Sequence, residues 1–390
     1  MGNGESHGLN RIWRCPFSAE ERNILDKIFG SMSGSTSSAK GGKATQKQVT
    51  LAMLKFTKNL IIAVIQLLQV EDMLRGWSLE KTSDPTIGTL RLTNILISQL
   101  KSKDGQHLVA DELQNEECGQ HELKDWMYTV SLISTFLHIF VAMGLRITNS
   151  ESQGEVFSTK HLLPKCVGIK YTGVFTIFDI PSIMYLNAYL PSEHQHKWQL
   201  LFSSQFHGAS FTRFCSLTLH KGPTLLIVKD SDSYVFGGYA SHSWDARPQF
   251  QGDNKCFLFT LSPRLGIYTC TGYNDHYMYL NHGQQTMPNG LGMGGQLYYF
   301  GLWIDSNYGE GHSKAKPKCT TYNSPQLSAQ EHFMIDTLEV WSVGNPPDDQ
   351  LPQPKSVLDS EPEAQALLHM IGKIRMSDGL RDPSEDDGEE

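Results

Sequence analysis

Thr224-Leu225-Leu226-Ile227-Val228-Lys229-Asp230-Ser231-Asp232-Ser233-Tyr234-Val235-Phe236-Gly237-Gly238-Tyr239-Ala240 places two β-branched and aromatic runs around a polar Asp-Ser turn. Such runs pack well on a pleated surface, and Asp and Ser bond their own backbone in turns, so the stretch predicts a β-hairpin. Working outward, Cys256–Leu261, Tyr277–Asn281, Leu297–Ile304 and Ile335–Val343 repeat the pattern between Gly, Asn, Asp and Pro turns. Short strands at this spacing predict two antiparallel sheets packed as a sandwich. One helix precedes them at Ser182–Leu190, with Pro181 at its start and Pro191 closing it.

Upstream the texture is helical. Ser18-Ala19-Glu20-Glu21 is a capping box opening a helix to about Phe29, and Gly30 to Gln48 is a Gly/Ser/Thr/Lys-rich linker. Apolar residues recur at helical spacing in Val49–Leu74, Ile87–Leu100 and Leu123–Leu145. The fold class expected is therefore α+β, with residues 18–150 helical and residues 156–345 a sandwich with flanking helices. Beyond it, residues 346–390 form a linker, a helix over 361–375 and a tail. Ser360-Glu361-Pro362-Glu363 caps that helix, and Ala364, Leu367, Leu368, Ile371 and Ile374 share one face of it. The face either packs on the chain's own sandwich or docks in a partner's groove. Residues 384–390 carry five carboxylates, most simply a solvated run.

A formal net charge of −8 argues against a nucleic-acid partner held through its phosphates. The seven cysteines are scattered without a C-x-x-C pair, and no Asn-x-Ser/Thr acceptor occurs, so a reducing, cytosolic compartment is expected. No apolar leader is read at the start. Leu60–Leu68 and Val130–Leu145 are shorter than the roughly 18–20 residues of a spanning helix. Met1-Gly2-Asn3-Gly4-Glu5-Ser6 matches the acceptor pattern for N-myristoylation at Gly2, which predicts a lipid anchor in residues 1–17. One acyl chain binds a membrane weakly, with a partition constant of about 10⁴ M⁻¹, so a second contact is required.

No catalytic set stands out. Gly290-Leu291-Gly292-Met293-Gly294-Gly295 spells GxGxxG, but Leu297–Ile304 behind it is β-like, and a dinucleotide site needs a helix there. The glycines read more simply as a tight turn or close sheet packing. His207, His220, His242, His276, His282 and His312 lack metal-ligand spacing and read as structural. Asp230 and Asp232 read as hairpin chemistry, and a Cys270–His276 pair lacks a nucleophile context. No cofactor, metal or catalytic residue is expected, and no calcium loop occurs in residues 18–150.

The segment from Leu162-Leu163-Pro164 to Gly344 resembles the TLDc domain family. The likeness rests on Ser182–Leu190, Trp198-Gln199-Leu200-Leu201-Phe202-Ser203-Ser204, Phe236-Gly237-Gly238-Tyr239, Gly301-Leu302-Trp303-Ile304-Asp305 and Leu338-Glu339-Val340-Trp341. Three further stretches, Gly272–Gly283, Gly290–Gln296 and Thr320–Leu327, resemble an mTOR-linked, myristoylated branch of that family. The resemblance implies a non-catalytic adaptor at the cytoplasmic face of the lysosomal membrane. Its implied partners are the vacuolar-type proton ATPase and mTOR complex components, with Leu367, Leu368, Ile371 and Ile374 as a partner-binding face. It also implies an alternative, an oxidative-stress-resistance protein with a redox-active site. Members of the branch are expected to carry a longer EF-hand-like helical region than residues 18–150 supply.

Overall fold

The hairpin read from residues 224–240 is present, as strands Thr224–Asp230 (β3) and Val235–Ala240 (β4) in continuous antiparallel register. Asp230 makes its turn, Oδ1 accepting from the Tyr234 N–H at 2.8 Å. The computed structural model describes residues 57–65, 77, 85–99, 120–144, 162–167, 176–284 and 286–345. The chain divides after Asn345. The expected N-terminal anchor, the helix expected over 18–29, residues 49–56 and everything from residue 346 onward therefore lie outside the described residues.

The sandwich follows the alternation of side chains. Lys165–Val167 (β1), Lys197–Ser203 (β2), Phe257–Ser262 (β6), Gly266–Thr269 (β7) and His332–Val343 (β12) join β3 and β4 in a first sheet, ordered β1-β2-β12-β3-β4-β6-β7. Arg247–Gln251 (β5), Met278–Asn281 (β8), Gly290–Gln296 (β9), Tyr299–Asp305 (β10) and Glu310–His312 (β11) form the second, ordered β5-β8-β9-β10-β11 and then β12 again. All pairings are antiparallel except β1 with β2. The two sheets are thus not separate bodies. β12 pairs with β11 through His332–Met334 and with β2 and β3 through its remaining length.

Along β3, Leu226 and Val228 face the second sheet's Leu280, Leu291 and Met293, while Leu225 and Ile227 face the other way. That other face is covered by helices Pro85–Ser98 (α1), Gln120–Thr129 (α2), Ser131–Gly144 (α3) and Ile180–Tyr189 (α4), with helical residues 57–65. The layers are helix, sheet, sheet. Strands, buried on two faces here, therefore read as continuous apolar runs.

Helix α4 is set by its ends. Asp179 accepts from the Ser182 N–H at 2.8 Å, Pro181 sits in the first turn, and Leu190 closes it. Asp179 also receives Arg91 Nη2 at 2.7 Å, and Arg91 Nη1 donates to Leu261 O at 2.6 Å, fastening α1 to both α4 and β6. Trp77 seals the layer: its ring lies 5.0 Å from Trp341 and 5.7 Å from Trp198, and its Nε1 donates to Pro164 O at 2.9 Å. Beneath it, the Glu339 carboxylate is only 1% exposed. It accepts from the Thr176 hydroxyl at 2.7 Å, the Ile177 N–H at 3.1 Å and Trp341 Nε1 at 2.9 Å. Burial nevertheless outweighs these donors and pushes its pKa above the ordinary carboxyl range.

The helical pattern of Leu123–Leu145 is carried by two helices, since α2 and α3 meet at Val130; the Val130 N–H still bonds Trp126 O, so the break is a bend rather than an end. Two short helices also interrupt the strand region, at Ser204–His207 (α5) and Phe211–Thr218 (α6). Ser210 caps α6, and its Phe211, Phe214 and Cys215 plug the inter-sheet core.

Candidate interaction surface

The GxGxxG run becomes β9, and its glycines shape the outer face of the second sheet. A Cβ at Gly292 would lie 2.5 Å from the Phe300 ring, and one at Gly290 would lie 2.5 Å from Trp303. Bare backbone at these alternate positions lets both rings lie flat on the sheet, stacked on each other at 4.6 Å and 18°. Gly294 and Gly295, both at positive φ, then break the alternation. Phe300 consequently faces outward while Leu302 and Ile304 face the inter-sheet core. Close sheet packing is thus the role of the run, and no helix follows it to receive a pyrophosphate.

Around this pair the strands assemble a row of rings. Tyr279 lies 5.4 Å from Phe300, and Phe250 lies 5.6 Å from Tyr279 and stacks on His276 at 4.1 Å. On the other side Trp303 stacks on His312 at 5.9 Å, and His332 lies 5.7 Å beyond. No helix among the described residues covers the row. Pro288, Tyr298, Phe300, Trp303, His312 and His332 line a groove of about 370 Å³ over it. A second groove of about 440 Å³ adjoins across Lys314 and is lined by Gln296, Tyr299, Lys316, Lys318, Thr320 and Glu331.

The electrostatics of the two grooves differ. Burial, reinforced by the positive charges of Lys314 and His332, pushes the His312 pKa down to about 4, so the ring is neutral at physiological pH. Its buried Nε2 has no hydrogen-bond partner among the described residues. Lys314 donates to Tyr298 O at 3.2 Å and sits 5.3 Å over the Tyr299 ring, while Lys316 pairs with Glu331. That hydrogen bond from Lys316 holds the Glu331 carboxyl below its usual range. At the tip between β9 and β10, Tyr298 and Tyr299 are each 60% exposed, and Tyr298 holds φ at +67°.

The remaining sequence-predicted candidates are dispersed. Gly2 and the helix face of Leu367, Leu368, Ile371 and Ile374 lie outside the described residues. His207 Nδ1 accepts from the Ser203 N–H at 3.0 Å, His220 meets Asp245 at 3.0 Å, His242 meets Ser241 at 2.9 Å, and His282 packs on Phe211. His276 bonds Gly295 O at 2.5 Å, whereas Cys270 Sγ accepts from the Gly272 N–H. Those two are not brought together as a catalytic pair. Burial pushes the Cys166 thiol up to about 12 and the Cys215 thiol up to about 11, and it raises Cys256 and Cys319 as well. Thiols so shifted are poor nucleophiles. Among the described residues no cluster of His, Cys, Asp or Glu could hold a metal ion, and no helix is long and apolar enough to cross a membrane. Sequence reasoning missed the aromatic row and the basic run Lys314-Ala315-Lys316-Pro317-Lys318, although the run is visible in the sequence.

The TLDc domain family matches residues 175–344. MTOR-associated protein MEAK7 of Xenopus laevis is 55% identical over 334 residues, covering 85% of this chain and 72% of its own length. The Homo sapiens protein of that name is 47% identical over the same shares. The Gallus gallus protein is 44% identical over 471 aligned residues spanning the whole of both chains; that length exceeds the 390 residues here, so the relative carries segments this chain does not. With relatives this similar over most of its length, and with the helix-sheet-sheet core built on the motifs above, the chain belongs to the TLDc domain family.

Proposed function

We propose that the protein is a non-catalytic adaptor in mTOR signalling, held at the cytoplasmic face of the lysosomal membrane. The observation that carries this reading is the 55% identity, over 85% of the chain, to a protein named for its association with MTOR. The raised thiols of the core support binding over a redox role, since an activated cysteine needs a lowered pKa. Gly2 supplies a weak lipid tether, and the vacuolar-type proton ATPase and mTOR complex components are the partners. The sandwich and the helix over 361–375 make two protein contacts. Linked weak contacts gain avidity through effective concentration, which suits regulated recruitment.

A pull-down from detergent-solubilised lysosomal membranes tests this, comparing the full chain with one ending at Val357. Proton-ATPase subunits should be recovered with the full chain and diminished by the truncation. Equal recovery would move the contact to the sandwich alone. Recovery of neither ATPase subunits nor mTOR components by either chain would sink the adaptor reading.

A further inference from the structure

We infer that the β9–β10 tip and the two grooves beside it form a docking site for an acidic segment of a partner protein, one that also presents an aromatic or aliphatic side chain. Three independent observations converge on this surface. The first is charge. In a chain of net charge −8, Lys314, Lys316 and Lys318 stand together on one groove wall, with Glu331 the one acidic residue beside them among the described residues. A local cationic bank on an acidic protein attracts carboxylates more than it attracts the bulk of other surfaces. The second is the unfilled chemistry of the neighbouring groove. The row of rings is bordered by a groove rather than covered by a described helix, and the buried His312 Nε2 that lies among them has no hydrogen-bond partner among the described residues. A side chain entering the groove would find aromatic faces along its floor.

The third is strain. Tyr298 holds a left-handed backbone that a bulky side chain adopts only at a cost. Glycine would fit that position without cost, yet the position carries an aromatic ring 60% exposed, beside a second at Tyr299. Tyrosine is among the residue types enriched in protein-binding hot spots, and here two exposed tyrosines stand beside the lysine wall. A bilayer is the poorer occupant. Phe300 and Tyr279 are fully recessed and cannot insert into lipid. A peptide can place its carboxylates on the lysines and send one apolar side chain down to the rings.

The inference shares with the adaptor reading only the premise that the protein works by binding proteins, and it is tested without any lysosomal component. Fluorescence anisotropy of the full chain is measured with short labelled peptides combining carboxylates and one aromatic residue. Charge-reversed lysine peptides and phosphatidylserine–phosphatidylcholine vesicles serve as competitors. The acidic peptides should bind saturably and weaken with added salt. Lys314→Glu combined with Lys318→Glu should lower affinity by about tenfold or more at unchanged melting temperature. Tyr298→Gly should lower affinity several-fold while the melting temperature holds or rises, because the substitution relieves the backbone. Loss of binding there cannot be unfolding. Binding no tighter than that of the reversed peptides, or unchanged in the double lysine variant, would overturn the site. So would vesicle binding that outcompetes the peptides and is abolished by the same variant. Failure with peptides alongside normal ATPase recovery overturns this site and leaves the adaptor reading standing; peptide binding without ATPase recovery does the reverse.

Discussion

Two aromatic clusters on opposite sides of this sandwich have met opposite fates. On the inner side Trp77, Phe178, Trp198 and Trp341 are packed together under helices, with Trp77 Nε1 donating to Pro164 O and Trp341 Nε1 to the Glu339 carboxyl. On the outer side Phe250, Tyr279, Phe300 and Trp303 lie on the second sheet with only loops and histidines around them among the described residues. Both clusters remove rings from water, so composition does not separate them. What separates them is whether a further layer arrives to finish the packing. The first cluster is closed by a helical layer, whereas the second is bordered by a groove that no described helix fills.

Substitutions should break that contrast in order. Trp341→Ala removes a fully buried ring, its hydrogen bond to Glu339 and its contact with Trp77. A loss of about 4 kcal/mol is expected in urea unfolding; a loss under about 1 kcal/mol would mean the helical layer does not seal the sheet. Arg91→Ala should cost about 2 kcal/mol, since it leaves the Asp179 carboxylate and Leu261 O short of a charged donor at about one-fifth exposure. Limited proteolysis should then cut first between α1 and α4.

Glu339→Gln gives a pH-dependent effect. Because burial raises the folded pKa, the unfolded state gives up its proton first as pH rises above the ordinary carboxyl range. The folded state then holds more protons, and stability falls with pH across that window. The margin of the wild type over Glu339→Gln should therefore shrink as pH rises; a margin that grows would show the carboxylate is favoured in place. On the outer side, Tyr299→Ser should change stability by less than about 0.5 kcal/mol, as an exposed ring does. A larger cost would make the outer row a second core and not a binding face.

Much of the inner architecture is legible in the chain itself. The Asp-Ser turn fixes the β3–β4 hairpin, and Pro181 and Pro191 bracket α4, because these residues act on their own neighbours. The capping pattern Ser210 with Phe211, Phe214, Cys215 and Thr218 at helical spacing announces α6 equally well, but strand-like surroundings conceal it. The outer face is less legible for a physical reason. Phe250, His276, Tyr279, Phe300 and His312 come from separate strands and loops, and only pairing and register bring them together. Nor does β10 alternate regularly; the positive-φ Gly294 and Gly295 opposite it switch which residues face out. A sequence shows these glycines without showing what lies on them.

The strand common to both sheets has a mechanical consequence. β12 ends two residues before the chain leaves at Asn345, and its last half is clasped between β2 and β3. A pull on whatever follows Asn345 runs along the strand axis, across hydrogen bonds that stand perpendicular to it. Those bonds are loaded in shear and must fail together, not one at a time like a zip. Tension arriving from a tethered C-terminal partner would thus be borne by the β2 and β3 ladders at once, and single-molecule pulling from that end should meet a high, abrupt rupture force instead of gradual peeling.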